Sequence, residues 1–157
     1  MPGPSAPQRD AERVASALAD CLPSLHRALD RLVARDYAHP KPPEGQLNLL
    51  RFVAEHEGAT VREAAGALLM KPNNLSALVS QLTDQGLLER RQDSADRRVA
   101  RLHLRPLARR RLAEVRALQV SHLTEGLLSL TEGELDALGP ALGSLVSLTH
   151  RLHPAAH

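Results

Sequence analysis

The stretch that decides the fold is TVREAAGALLMKPNNLSALVSQLTDQGLLERRQDSADRRVARLHL, from Thr60 to Leu104. It reads as helix, turn, helix and basic hairpin. In the second helix Pro72 suits the first turn, where a backbone N–H has no intrahelical partner. Gly86 suits the exit, where a left-handed residue closes the last turn. Leu75, Leu78, Val79 and Leu82 follow the i, i+3, i+4, i+7 pattern and form one buried stripe. At about 100° per residue, the opposite face holds Asn73, Ser76, Ala77, Ser80, Gln81 and Asp84, with Asn74 beside it. That face is small, polar and uncharged over its first two turns. Asn can pair with adenine, Ser with any base, and an Ala methyl can meet a thymine methyl. An amphipathic surface helix would show the same periodicity, so this helix alone does not decide function.

Its neighbours add to the case. Thr60 and Glu63 have capping-box spacing. Val61, Ala64, Ala65 and Leu68 make a small-residue stripe suited to close packing against the next helix. The connecting turn has Met70-Lys71 where helix-turn-helix units commonly carry Gly. After Gly86, Leu87 and Leu88 begin a strand, and Ala100, Leu102 and Leu104 alternate as its return. The tip between them is Gln92-Asp93-Ser94-Ala95-Asp96-Arg97-Arg98. Helix-turn-helix followed by a hairpin is a winged helix. From Arg90 to Arg111 nine Arg face only Asp93 and Asp96, a local excess of seven positive charges, whereas the whole chain carries +2. Such a run is often a solvated face. Here the other sign is almost absent, as a polyphosphate partner would select.

The run GLLERRQDSADRRVARLHL resembles the wing of the MarR family of bacterial transcriptional regulators, with Asp96-Arg97-Arg98 as its Asp-x-Arg element. The resemblance spans roughly residues 10–152 in helix order, and its specific motif about 70–105. It implies that Arg98 enters a minor groove and that Asp96 holds it in place. A narrow minor groove attracts Arg through its enhanced negative potential. After Leu104 the family's Leu-Thr and following Gly give way to Arg105-Pro106. The resemblance also implies a homodimer built by the terminal helices, with small, often aromatic or phenolic effectors bound between those helices and the winged helix. No residue identifies an effector.

At 157 residues and 43% hydrophobic, the chain fits one domain with an aliphatic core, since it has one Phe, one Tyr and no Trp. No apolar run approaches the ~20 residues that span a bilayer, and MPGPSAPQRD has no signal core. The lone Cys21 permits no intramolecular disulfide and fits a reducing cytoplasm. The expected organisation is mostly α. It has a disordered tail over 1–9, then a single MarR-like domain over 10–157. Within that domain 42–105 form the winged helix, and 10–38 and 106–153 are dimerisation helices.

Along the first helix Leu18, Leu22, Leu25, Leu29 and Leu32 repeat by four and three, the spacing of an interhelical seam. Pro23 is expected to interrupt it. The connector His39-Pro40-Lys41-Pro42-Pro43 is stiff. A helix from Glu44 to Glu57 turns Leu47, Leu50, Val53 and Ala54 inward, and Gly58 ends it. Pro106 opens a long helix to about Leu130. Thr131 and Glu134 form a second capping box, and Leu135, Leu138, Leu142, Leu145, Leu148 or Thr149, and Leu152 make another seam, with a kink expected at Gly139-Pro140. The Leu seams could be the domain's own core. Their number exceeds what a small winged helix covers, which favours a subunit contact through Leu18, Leu22, Leu25, Leu138, Leu142, Leu145 and Leu148.

Other chemistry finds less support. One branch of the resembled family senses organic hydroperoxides with a single Cys near the end of the first helix, and the resemblance implies Tyr residues on the second helix to bond its sulfur; GQLNLLRFVAEHE has none, so Cys21 is expected buried and inert. Eight His residues, at 26, 39, 56, 103, 122, 150, 153 and 157, include His150-x-x-His153. No Cys or carboxylate completes a compact set there, so no metal and no cofactor are expected. A Gly-rich phosphate loop, a nucleophile elbow and His-Glu-x-x-His are all missing, so the chain is not read as an enzyme.

The expectation is therefore a dimeric, cytoplasmic, sequence-specific regulator of double-stranded DNA, a ligand-responsive repressor at a pseudo-palindrome. Asn73, Asn74, Ser76, Ala77, Ser80 and Gln81 would read the major groove. Arg98 would read the minor groove, oriented by Asp96, and Thr60, Lys71, Arg91 and Arg97 would contact phosphate. The alternatives are a winged helix used for protein interaction and a redox-sensing regulator.

Overall fold

The structure is a computed structural model that describes residues 5–152. Six helices and one hairpin follow in the order α1 (Ala6–Asp36), α2 (Glu44–Glu55), α3 (Val61–Ala67), α4 (Pro72–Asp84), β1 (Leu88–Gln92), β2 (Ala100–Leu104), α5 (Pro106–Leu128) and α6 (Glu132–Leu152). The expected winged helix occupies α2 to β2, and long helices flank it.

α1 begins at Ala6, so residues 6–9 are helical rather than part of a disordered tail; 1–4 lie outside the described residues. Pro sits in its first turn, where a missing N–H is harmless. α1 runs through Pro23 as one helix, and in the following turn the Ser24 hydroxyl donates to the Asp20 carbonyl at 3.3 Å. α6 likewise continues across Gly139-Pro140.

The seam expected along α1 divides. Its C-terminal end packs within the chain, where Leu29 joins Val33, Tyr37, Val115 and Leu118 in a small α1–α5 core. Leu22 and Leu25 remain half exposed, at 50% and 51%. Cys21 is exposed, not buried as expected. The reason is the same: among the described residues, the α1–α5 core forms around Leu29, Val33 and Tyr37, beyond the turns that carry Cys21. α6 has no buried residue at all.

The main core joins α2, α3, α4, the hairpin and α5. Leu49, Leu50, Val53, Ala64, Ala65, Leu75, Val79, Leu82, Leu87, Leu88, Leu102, Leu104 and Ala108 form it. α2 lies at its centre, touching α3, α4, β2 and α5. A helix packed on several sides buries more than one stripe, so Leu49 is buried and Ala54, expected inward, is exposed.

Both helices of the reading unit end in Schellman turns. At α4 the N–H of Leu87 bonds to the Leu82 carbonyl at 2.9 Å and that of Gly86 to Thr83 at 3.0 Å, with Gly86 at φ 70°. At α3 the N–H of Met70 bonds to Ala65 at 3.0 Å and that of Leu69 to Gly66 at 3.3 Å. Leu69, not Gly, takes the left-handed position there, at φ 52°. The turn expected to lack Gly therefore forms with a strained Leu.

β1 and β2 pair antiparallel with Leu88 opposite Leu104 and Gln92 opposite Ala100. The backbone of Gly58 and Ala59 extends this ladder, since the Gly58 N–H donates to the Leu102 carbonyl at 2.9 Å and the Leu102 N–H to that of Ala59 at 2.8 Å. Without the family's Thr and Gly, the hairpin joins α5 directly. Arg105 donates its N–H to the Leu87 carbonyl at 3.0 Å, and Pro106 follows in the first turn.

Candidate nucleic-acid interface

The local chemistry of α3 fixes where α4 stands. Thr60 caps α3: its Oγ1 accepts the Glu63 N–H at 3.2 Å, while the Glu63 carboxylate accepts the Thr60 N–H at 2.7 Å and its hydroxyl at 2.9 Å. These bonds, the backbone one first, hold the Glu63 carboxyl below its usual pKa. They also use the one hydroxyl proton of Thr60, leaving it no donor for a phosphate. α3 then packs its Ala64 and Ala65 against α4, whose Leu75, Val79 and Leu82 are fully buried.

The opposite side of α4 is open. Asn73, Asn74, Ala77, Ser80 and Gln81 are exposed and Ser76 is half-buried. Among the described residues, no hydrogen bond engages the side chains of Asn73, Asn74 or Ser76. Two of the expected readers do have partners. The Ser80 hydroxyl accepts from Arg90 Nη2 at 3.2 Å, and Gln81 Oε1 accepts from Gln46 Nε2 at 3.4 Å. Lys71 is the N-cap residue and gives no side-chain cap, so the first N–H groups of α4 remain free toward its N-terminus.

The wing tip is an ordered loop. The Asp96 carboxylate accepts the backbone N–H of Arg98 at 3.0 Å. It thus shapes the loop rather than gripping the Arg98 guanidinium. Arg97 and Arg98 are exposed and, among the described residues, form no ion pair. Arg91, by contrast, is paired with Glu89.

Asp93 and Arg101, which spacing alone did not single out, organise the loop. Asp93 accepts the N–H of Ala95 at 2.8 Å and of Asp96 at 3.1 Å, and it is ion-paired with Arg101. The Arg101 bond, then the two backbone bonds, lower the Asp93 carboxyl to a pKa of about 2. The available signal was an acid at one end of the loop and a base on the returning strand.

Elsewhere, Glu57 joins the wing base to α5, its carboxylate meeting His103 Nδ1 at 3.0 Å and Arg109 Nη2 at 2.8 Å. His26, Asp30 and Glu44 converge closely enough to hold a cation. The ammonium of Lys41 already lies against Asp30, and 3.9 Å from Glu44. His150 lies on α6, while His153 and His157 fall outside the described residues. No described helix is long and apolar enough to cross a membrane. A cleft of about 460 Å³ lies between the Pro-rich connector, α4's exit and α5, lined by Lys41, Gln46, Gln85 and Arg111.

Comparison with known proteins agrees with this geometry. The model of the MarR family matches residues 41–99. The HTH-type transcriptional regulator YsmB of Bacillus subtilis (strain 168) is 29% identical over 122 residues, covering 78% of this chain and 80% of that protein. A crystal structure of a putative transcriptional regulator from Pseudomonas aeruginosa PA01 superposes with TM-score 0.77 at 27% identity, over 93% of this chain and 98% of that one. Streptococcus pneumoniae FabT, solved in complex with DNA, superposes with TM-score 0.65 at 18% identity, over 92% and 98%.

Proposed function

We propose that this chain, which is similar to the MarR family over residues 41–99 and to the regulator YsmB over 122 residues, is a homodimeric, ligand-responsive repressor of double-stranded DNA. Each subunit lays α4 in a major groove and its wing tip in the adjacent minor groove of a pseudo-palindromic operator. The observation that carries this reading is the pairing of two surfaces that are unengaged among the described residues: the Asn73, Asn74 and Ser76 face of α4, and the guanidinium groups of Arg97 and Arg98. A protein of this fold, FabT, has been solved with DNA.

The roles follow from chemistry. Asn73, Asn74, Ser76 and Ala77 meet base edges, and Ser80 and Gln81 do so on exchanging their present partners. Arg98 reads the minor groove on a loop shaped by Asp96. Lys71, Arg91 and Arg97 contact phosphate, aided by the free N–H groups at the start of α4. Thr60 serves by capping α3.

The dimer is supported by what this chain leaves uncovered. Leu138, Leu142 and Leu148 on α6 are 40%, 58% and 38% exposed, and Leu22 and Leu25 on α1 about as much. Leu18 and Leu145 are half-buried. Burying each such side chain contributes up to about 1.5–3 kcal/mol, and a second copy supplies matching surface by symmetry. An effector would fill the cleft beside Arg111, whose buried Nε has no hydrogen-bond partner among the described residues. That position bridges the reading unit and α5, so an occupant with unequal affinity for two dimer geometries would shift DNA binding.

Selection of genomic fragments followed by a gel shift on the enriched site tests the proposal. Enrichment of one pseudo-palindromic sequence supports it. Failure to retard any fragment at low salt would instead favour a protein-interaction module.

A further inference from the structure

We propose that Arg101 and Asp93 form a clasp that sets the wing tip's position relative to α4, coupling minor-groove reading to major-groove reading. The proposal rests on the DNA-binding function above and adds a positioning device to it.

Arg101 stands where three segments meet. Its backbone forms a bridge with Thr60, the N-cap of α3. Its Nη1 donates to the Gly58 carbonyl at 3.0 Å, and its Nε to the Asp93 carboxylate. Asp93 in turn holds the tip. Besides the amides of Ala95 and Asp96, it is fixed through its own N–H, which donates to the Val99 carbonyl at 2.9 Å. The loop carrying Arg98 is therefore stitched to Asp93, Asp93 to Arg101, and Arg101 to the segment that opens α3. α3 packs on α4. The wing also meets α4 directly, where Arg90 Nη2 donates to the Ser80 hydroxyl at 3.2 Å, but that bond starts from β1 and not from the tip.

The charge of Asp93 makes the role separable from simple electrostatics. A carboxylate on a surface approaching a polyanion opposes association at long range. It favours binding only through what it holds in place. A planar guanidinium with several fixed donors can serve two acceptors at once, whereas a lysine ammonium does so without the same fork geometry.

The test measures operator and random-duplex affinity for Asp93→Asn, Arg98→Ala and the double variant. Charge removal alone predicts that Asp93→Asn binds both duplexes more tightly. The clasp predicts a several-fold loss on the operator, with random-duplex affinity unchanged or raised. It also predicts that the double variant binds the operator no more weakly than Arg98→Ala, because both changes remove one coupled contact. Operator affinity equal to or above wild type in Asp93→Asn, or fully additive losses, would overturn the clasp. Wild-type protein that does not discriminate operator from random duplex would overturn the DNA-binding function and the clasp with it.

A second measurement needs no DNA. In Arg101→Met, amide exchange at Ala95 and Asp96 should accelerate while Leu102 and Leu104 keep their protection. Unchanged exchange at the tip would also overturn the proposal.

Discussion

The carboxylate of Asp96 accepts the backbone N–H of Arg98 at 3.0 Å, while among the described residues that residue's guanidinium has no ion-pair partner. The contact stabilises a turn of the loop and keeps the arginine's charge available for a ligand. Asp96 and Arg98 should therefore respond differently to substitution. Arg98→Ala should weaken operator binding by about 1–3 kcal/mol and reduce the salt slope by about one. Asp96→Asn, which keeps an acceptor for the Arg98 N–H, should bind better than Asp96→Ala. Fluorescence anisotropy across a salt series checks both, and equal losses for the two Asp96 variants would contradict the turn-shaping role.

Leu69 sits at φ 52° with its side chain 80% exposed, so it contributes little packing to balance a left-handed backbone. A non-Gly residue there costs roughly 1–2 kcal/mol. Leu69→Gly relieves that strain but gains unfolded-chain entropy, which offsets part of it. The net expectation is a rise in Tm of up to about 2–4 °C at fixed protein concentration. A fall in Tm measured by calorimetry would show that the turn is not strained.

Thr60→Ala should destabilise the protein by about 1 kcal/mol, since it removes the N-cap acceptor of α3. Its effect should also alter acid sensitivity. Glu63 and Asp93 both have depressed pKa values when folded, Asp93 at about 2. Unfolded carboxyls titrate near ~4. Their stabilisation is thus fully present above that value and is lost as pH falls through the folded values. Urea unfolding between neutral pH and about pH 3 should show a smaller acid loss in Asp93→Asn than in wild type.

Leu142→Glu places a charge in the middle of the exposed α6 stripe, at a residue 58% exposed in the single chain. The isolated subunit should tolerate it, and the dimer should not. Sedimentation equilibrium should show a shift to monomer with near-native helicity, and operator affinity should fall with it. A dimer of wild-type strength would remove α6 from the interface.

These relationships differ in how openly the residues announce them. Pro72, Gly86 and the two Thr-x-x-Glu boxes act within one turn of their own position, so local spacing identified them. The alternation of Ala100, Leu102 and Leu104 likewise placed the returning strand. Leu69 was not legible, because a left-handed residue is normally signalled by Gly and here the tertiary packing of α3 on α4 imposes it. Leu49 was missed because a single-stripe pattern describes a helix buried on one side, and α2 is buried on several. Cys21 reversed because burial there depends on a surface this chain does not supply. The Asp93–Arg101 pair lies across a loop, where only the hairpin register brings the two side chains together.

The most direct measurement is the affinity and stoichiometry of the purified protein on its selected operator across a salt series. Two subunits per site, preference over random duplex, and log K falling linearly and steeply with log salt are the expected results. One subunit per site, or equal affinity for operator and random duplex at every salt concentration, would contradict the central claim.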